Sequence, residues 1–427
     1  MSAPRTHEPL HARPGIVPKV IRSTMRLTAR WWKLRAAVTT APQQAPLSVV
    51  VRDAREILVV ALAEAGDMVL LSVFLRGLRR LAPAARVTLV CLPSARVLYE
   101  ASPDVDEVIT YDAVAPRVLR PLLLPRRARA FARRQLARRF DLAIVPRWDT
   151  DHHLASLVAL HSRAPRRLWH GERAYARKAT LNAGFDTLFT DVVRSTDVAH
   201  EVERHLVMLH AMGAAAPSPE LGLALTDDDR RRAADALASI DATKPLIAFG
   251  IGAAHPKRRW PVARFAEVGR ALQRAHDARI VVVGGPADGP PQHDLLGELG
   301  ASALGLAGQL TLRESAAVLA RCRLFVGSDS APMHLAAAMG VPCVEISCHP
   351  TGGDPLHNNA PERFAPWGVP SRIVRPAAAV PPCTAQCDAD VAHCILAVTP
   401  AMVLAAAGDL LGQSETIRAR ASMDDPR

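Results

Sequence analysis

The stretch FVGSDSAPMHLAAAMGVP, residues 325–342, decides how this chain is read. A short apolar run ends at Gly327. Ser330 stands where a helix N-cap belongs, Pro332 suits a first helical turn, and Gly340 can end the helix. A strand that hands over to a helix in this way places the junction at the carboxyl edge of a parallel sheet, a favoured ligand position. The N–H groups of the first turn and the helix dipole make an anion site there, and a diphosphate fits it. Asp329 repels a phosphate, so it is expected to bind a ribose or sugar hydroxyl, or to fix the loop, while Ser330 and His334 face the ligand. The plainer alternative makes Ser330 a simple cap and His334 a satisfied surface residue.

Working outward, apolar runs alternate with helical spacing. EILVVALAE (56–64), ARVTLVCL (85–92), DEVITYD (106–112) and FDLAIVPRW (140–148) read as strands, with a helix over 68–83. EVERHLVMLHAMG (201–213) reads as a helix, and AAAPSPELGLAL (214–225) as a linker. A second series follows: PLIAFGIG (245–252), ARIVVVGGP (278–286), RLFVGSD (323–329) and VPCVEIS (341–347), with helices at 261–276, 312–321 and 331–339. Repeated strand-helix-strand units mean parallel sheets covered on both faces. The expected architecture is α/β, two doubly wound Rossmann-like domains facing a cleft. The expected segments are a basic extension (1–50), two domains (53–218 and 219–412) and a disordered tail (413–427).

The totals narrow the function. A chain of 427 residues with 49% hydrophobic and 22% charged content is globular and exceeds one ordinary core. The net charge of +12 suits anionic partners: nucleic acid, phosphorylated small molecules or an anionic bilayer face. Aromatic content of 4% leaves few base-stacking platforms, which argues against nucleic acid. Seven cysteines in so long a chain point to a reducing compartment rather than a disulfide framework. Arg and Lys interrupt the apolar stretches of the first 45 residues, so no signal peptide is expected, and no transmembrane run occurs. KVIRSTMRLTARWWKLRAAV (19–38) reads either as a basic helix lying on anionic headgroups or as a solvated extension. The basic, largely helical run 116–140 reads as a solvated face that can add to such attraction. The expected location is cytoplasmic, peripheral on the inner face of the cytoplasmic membrane.

Five segments occur in a telling order: GDMVLLSVFLRGLRRLAPAARVTLVC (66–91), GAAHPKRRWPVARFAEVGRAL (252–272), VVVGGPAD (281–288), LAGQLTLRESAAVLARCRLFVGSDSAPMHLAAAMGVPCVEI (306–346) and PCTAQCDADVAHCILAVTP (382–400). Together they resemble glycosyltransferase family 9, the bacterial heptosyltransferases that build lipopolysaccharide core and their relatives. The resemblance covers about residues 53–410. It implies the GT-B fold, with a nucleotide diphosphate sugar on the C-terminal domain and the acceptor on the N-terminal one. It also makes Asp67, in EAGDMV, the catalytic base. Read from the residues alone, Gly66 allows a tight turn after strand one and Asp67 faces the cleft, where a carboxylate can take an acceptor proton. An ordinary N-cap is the alternative.

The resemblance also gives the basic residue just before Trp260-Pro261 a contact with the donor phosphate. Arg258 holds the matching position, with Lys257 as competitor. Ala331 departs from the glycine usual after Asp-Ser, which bears on how closely backbone approaches phosphate. The polar loop 347–368 offers His349, Asp354 and His357 for sugar recognition, or simply turns. Cys383, Cys387, His393 and Cys394 have the spacing C-x3-C…HC, off the usual finger pattern. Adjacent His393 and Cys394 are expected to strain a tetrahedral site, so no metal is expected.

The reading is therefore an inverting, metal-independent glycosyltransferase with no cofactor beyond its nucleotide-sugar donor. Its acceptor would be a lipid-linked saccharide at the membrane surface, and it would bind no nucleic acid. Heptose or a related sugar is the expected cargo. A Rossmann oxidoreductase or sugar-nucleotide epimerase is the second enzyme class. EAGDMVLLS has a single glycine, however, and Pro290 and Pro291 are expected to break the helix that a fingerprint at VVVGGPADGPP needs. A non-catalytic nucleotide-sugar-binding or membrane-scaffold protein is the third reading, favoured by Ala331.

Overall fold

Twelve strands, rich in Val, Ile and Leu, carry the described fold. The computed structural model describes residues 45–112, 120–195, 200–241 and 243–423; the tryptophan-bearing stretch 19–38 lies outside them. The strands are β1 (Glu56–Ala61), β2 (Arg86–Cys91), β3 (Glu107–Thr110), β4 (Leu142–Val145), β5 (Arg166–His170), β6 (Asp191–Val193), β7 (Leu246–Gly250), β8 (Arg279–Val282), β9 (Ala303–Gly305), β10 (Leu324–Ser328), β11 (Cys343–Ile346) and β12 (Ser371–Val374). They form two six-stranded sheets, ordered β3-β2-β1-β4-β5-β6 and β12-β11-β10-β7-β8-β9. The ladders around β10 are parallel on both sides. Every residue of β7 and β10 is buried, so neither shows polar-apolar alternation, as expected when helices cover both faces.

Two compact units result, one of segments ending at Leu62 and spanning 111–196, the other of 63–110 and 197–427. The sequence-based division at 218/219 follows strand order, whereas compactness follows packing. Helix Ala65–Leu70 lies on helix Ala331–Ala338, and helix Ser72–Leu81 lies on helix Glu201–Ala211, so the Ala63–Thr110 segment joins the C-terminal chain. In the first unit, helix Arg120–Gln135 buries Leu124, Ala128 and Ala132 at a spacing of four. Arg126, Arg127, Arg129, Arg133 and Arg134 are exposed on it, the solvated basic face that the sequence suggested.

The second unit's core is built on Phe249, Ile280, Val282, Val326 and Val344 of the sheet, against Phe265 and Leu272 of helix Val262–His276. Trp260 is 1% exposed, meets Phe265 edge-on at 5.0 Å, and donates its indole N–H to the Val398 carbonyl at 3.0 Å. This anchor fixes the chain just after the Lys257-Arg258 turn.

Several expectations change. The helix anticipated over 68–83 is two helices, Ala65–Leu70 and Ser72–Leu81, meeting at Leu71. Pro290 and Pro291 do not break a helix. They sit in the first turn of helix Gly289–Leu299, where proline's missing N–H costs nothing. The final helix runs Pro400–Met423 and so crosses residues 413–423, where no structure was expected. Its alanines and leucines favour helix, and no proline intervenes before Pro426. Among the described residues, no helix is long and apolar enough to cross a membrane.

Gly250 and Gly327 are register partners on β7 and β10, and the Phe325 ring lies over both. A Cβ on Gly327 would sit 2.5 Å from the Gly250 carbonyl oxygen and 2.8 Å from Phe325 Cζ. The close approach is backbone on backbone, so it cannot relax by rotating a side chain. Gly327→Ala is expected to cost about 2 kcal/mol or more in chemical denaturation. Gly297→Ala, where an added methyl meets nothing within 4 Å, should be neutral or stabilising by about 0.5 kcal/mol.

Candidate active site

All the residues singled out for donor or acceptor chemistry fall in the second unit. β10 ends at Ser328 and delivers Asp329 and Ser330 to the opening of helix Ala331–Ala338. Asp329 is 7% exposed. Its Oδ2 accepts from Arg258 Nη1 at 2.9 Å, its carbonyl accepts from the same nitrogen at 3.3 Å, and its Oδ1 lies 3.6 Å from His334 Nε2. Burial alone would raise the Asp329 carboxyl. The Arg258 guanidinium and the His334 ring outweigh it and hold that carboxyl below the ordinary range. Of the two roles open to Asp329, loop fixation is the one this geometry displays.

The three basic residues of the preceding turn diverge. Arg258 closes on Asp329, Lys257 Nζ donates to the Cys387 carbonyl at 2.7 Å, and Arg259 Nε donates to the Ala253 carbonyl at 2.9 Å. The short 3-10 turn Pro256–Arg258 and buried Trp260 set this divergence. The side chain of Ser330 does not cap the helix. Its hydroxyl donates back to the Ser328 carbonyl at 3.1 Å, leaving the first-turn N–H groups without a side-chain acceptor from this residue.

His334 is buried, not a surface residue, and it packs against the Gly66-Asp67 turn. A Cβ on Gly66 would lie 2.8 Å from His334 Cδ2 and 3.8 Å from the Ala331 Cα. Gly66 therefore permits the first turn of helix Ala65–Leu70 to sit directly on helix Ala331–Ala338. Asp67 lies in that first turn and is half-buried. It is not the N-cap, a position that Glu64 occupies, so the ordinary-cap alternative falls.

Several buried polar atoms around Asp329 lack a partner among the described residues: Arg258 Nε, Ser328 Oγ, His334 Nδ1 and Glu345 Oε2. Such atoms are uncommon unless water or a ligand completes them. Glu345, on β11, escaped the sequence reading. Burial, then the neighbouring Asp329 charge, raises its carboxyl well above the usual range. A lone acid in the apolar run VPCVEI was the available signal.

The 347–368 loop is more ordered than its composition suggests. The rings of His349 and His357 are nearly parallel, 10° apart with centroids 5.5 Å from each other. Burial lowers both imidazoles, His357 to about 4, so the pair is neutral near pH 7. Asp354 accepts the Leu356 N–H at 2.9 Å and shapes a turn. Arg363, also unremarked in the sequence, donates to the Leu356 carbonyl and to Asn358 Oδ1, both at 3.1 Å, and to Glu201 at 2.7 Å. Cys383, Cys387, His393 and Cys394 also converge: their ligand atoms all lie within 4.8 Å of one another. The adjacency of His393 and Cys394 does not separate them, which removes the argument from strain against a metal.

The sequence profile of glycosyltransferase family 9 (heptosyltransferase) matches residues 129–386, more than half of the chain. The chain belongs to glycosyltransferase family 9. It is accordingly a glycosyltransferase enzyme. Lipopolysaccharide heptosyltransferase 2 of Salmonella typhimurium is 25% identical over 312 residues, 68% of this chain and 82% of that protein. Among solved structures, a family 9 glycosyltransferase from Veillonella parvula aligns with TM-score 0.67 at 22% identity, over 87% of this chain and 100% of that one. The ADP-heptose lipopolysaccharide heptosyltransferase II of E. coli aligns with TM-score 0.62 at 22% identity, over 84% and 99%. These likenesses carry the fold, the GT-B class with two Rossmann-like sheets.

Arg258→Ala would strand a buried Asp329 carboxylate, at a cost of about 3 kcal/mol in chemical denaturation. The double variant with Asp329→Ala should cost less than the sum of the two single changes by about 1–3 kcal/mol. Strict additivity would show that the pair carries no coupling.

Proposed function

We propose that this family 9 enzyme transfers a sugar, heptose or a related one, from a nucleotide diphosphate donor to a lipopolysaccharide-type or other membrane-linked saccharide. The transfer inverts the anomeric centre. Asp67 takes the acceptor hydroxyl proton as the oxygen attacks the anomeric carbon. The bond to the diphosphate oxygen breaks on the opposite face, and the leaving group departs with the electron pair. Arg258 and the first-turn N–H groups of helix Ala331–Ala338 receive the growing negative charge, which makes them worth more in the transition state than in the ground state. No metal takes part at the reacting centre in this scheme, because fixed positive groups supply the stabilisation.

One observation carries the reading. Gly66 seats the Asp67 turn against His334 and Ala331, so the carboxylate-bearing turn and the diphosphate-type helix opening are immediate neighbours. The relatives support the cargo: the names of the solved and curated proteins specify ADP-heptose and lipopolysaccharide. Ala331 retains the helix opening while adding a methyl group to it. His349 and His357, both neutral, suit hydrogen bonds to sugar hydroxyls rather than to phosphate. Binding at the inner face of the cytoplasmic membrane belongs to the same reading, supported by the exposed arginines of helix Arg120–Gln135 and the net charge of +12. Nucleic acid is not a partner in it.

Asp67→Asn tests the assignment. With nucleotide diphosphate sugars screened by thermal shift to find the donor, the variant should keep wild-type donor stabilisation and lose turnover by about 10²–10⁴-fold. Turnover within a few-fold of wild type would remove Asp67 from the chemistry.

A further inference from the structure

The loop from Pro376 to His393 crosses the second unit without a helix or strand; Cys383 and Cys387 enter the hydrophobic core, and Ala379, Val380, Ala389 and Ala392 pack against it from partly buried positions. Cys383, Cys387, His393 and Cys394 place three sulfurs and one imidazole nitrogen within 4.8 Å of one another, and all three cysteines are free thiols. His393 Nδ1 lies 3.6 Å from Cys383 Sγ and 3.5 Å from Cys394 Sγ. A tetrahedral zinc ion with ordinary Zn–S and Zn–N bonds has sulfur–nitrogen edges of about 3.6 Å. The two observed sulfur–nitrogen separations match those edges.

A second observation concerns the sulfurs themselves. The backbone N–H of Asp388 points at Cys383 Sγ at 3.4 Å, and that of Val380 points at Cys394 Sγ at 3.5 Å. Amides directed at sulfur stabilise thiolate, the form in which cysteine ligates metal.

We propose that these four residues form a structural Cys3His zinc site, separate from the sugar-transfer chemistry. Three thiolates and an imidazole in a closed, mostly buried shell match zinc's preference and leave no open position for substrate. The site's value is positional. Lys257 Nζ donates to the Cys387 carbonyl at 2.7 Å, and a Cβ on Gly353 would lie 2.6 Å from the Ala385 carbonyl oxygen. The zinc loop is thus wedged between the turn that carries Arg258 and the loop that carries His349 and His357. Cross-linking it fixes both.

The test begins with metal content and does not depend on activity. Full-length chain purified under reducing conditions should carry about one zinc ion per chain by elemental analysis, a stoichiometry set by the four ligands. The Cys387→Ser/Cys394→Ser variant should carry none. Because that variant can misfold, wild-type protein stripped with a chelator is titrated with cobalt(II), which should give the intense thiolate-to-metal absorption of a tetrahedral sulfur-rich site. The stripped protein should also exchange amide hydrogens faster over 255–259 and 349–357, reversed by zinc. Protein that purifies without metal and binds neither ion after reduction overturns the proposal. A disulfide among the three cysteines, zinc retained in the double variant, or stoichiometric iron in place of zinc would also do so.

Discussion

A single buried ion pair, Arg258 with Asp329, sets the geometry of the candidate site. Neither charge has much access to water, with side-chain exposures of 17% and 10%, so each needs the other. The pair joins the turn after β7 to the end of β10, two neighbouring strands that would otherwise deliver independent loops. Once Asp329 is held, Ser330 opens the helix in a fixed direction and His334 returns to the same carboxylate one turn later. The pair also acts on its surroundings: burial raises the carboxyl of Glu345, and the charge of Asp329 adds to that rise.

Close backbone approach is the second constraint. Gly250 and Gly327 bring β7 and β10 together beneath the Phe325 ring, and Gly66 admits His334. Two of these glycines lie directly upstream of the residues of the proposed site: Gly327 precedes Ser328-Asp329-Ser330, and Gly66 precedes Asp67. The candidate site residues therefore inherit their position from sites where a side chain would clash. Ala331 shows the complementary case. Its methyl group is half-exposed at the helix opening and is compatible with that helix, so the departure from glycine leaves the local structure intact.

Much of this was legible in the sequence because buried parallel strands announce themselves. EILVVA, RVTLVC and LFVGS are dominated by apolar residues, with Glu56 and Arg86 only at the strand starts, and glycine, serine and aspartate occur at or near the strand-to-helix junctions. Short strands with charged residues, such as β5 in RRLWH, did not declare themselves, since their burial comes from neighbours rather than from their own pattern. Pro290-Pro291 misled because proline breaks a helix interior yet starts one well. Glu345 was hidden because a buried acid only has meaning beside its neighbours: it is the register partner of Gly327, two residues before Asp329, across the β10–β11 ladder. The convergence of the cysteine cluster was hidden for a similar reason: spacing rules describe common metal folds, whereas convergence of four side chains depends on the loop's path.

Donor bookkeeping distinguishes two buried cations that hold the fold, Lys178 and Arg363, from Arg258. Lys178 directs its ammonium to three backbone carbonyls, those of Arg147, Trp148 and His170, and burial lowers it to about 7. Arg363 spends its guanidinium on Glu201, Asn358 and the Leu356 carbonyl. In both, the donors end on groups of the protein, and the cation acts as a staple. Arg258 differs: one nitrogen serves Asp329, while its buried Nε has no partner among the described residues. A guanidinium half-committed to a carboxylate is oriented but not exhausted. It can accept an incoming anion without first breaking the contact that positions it, which is what a preorganised charge at a leaving group must do.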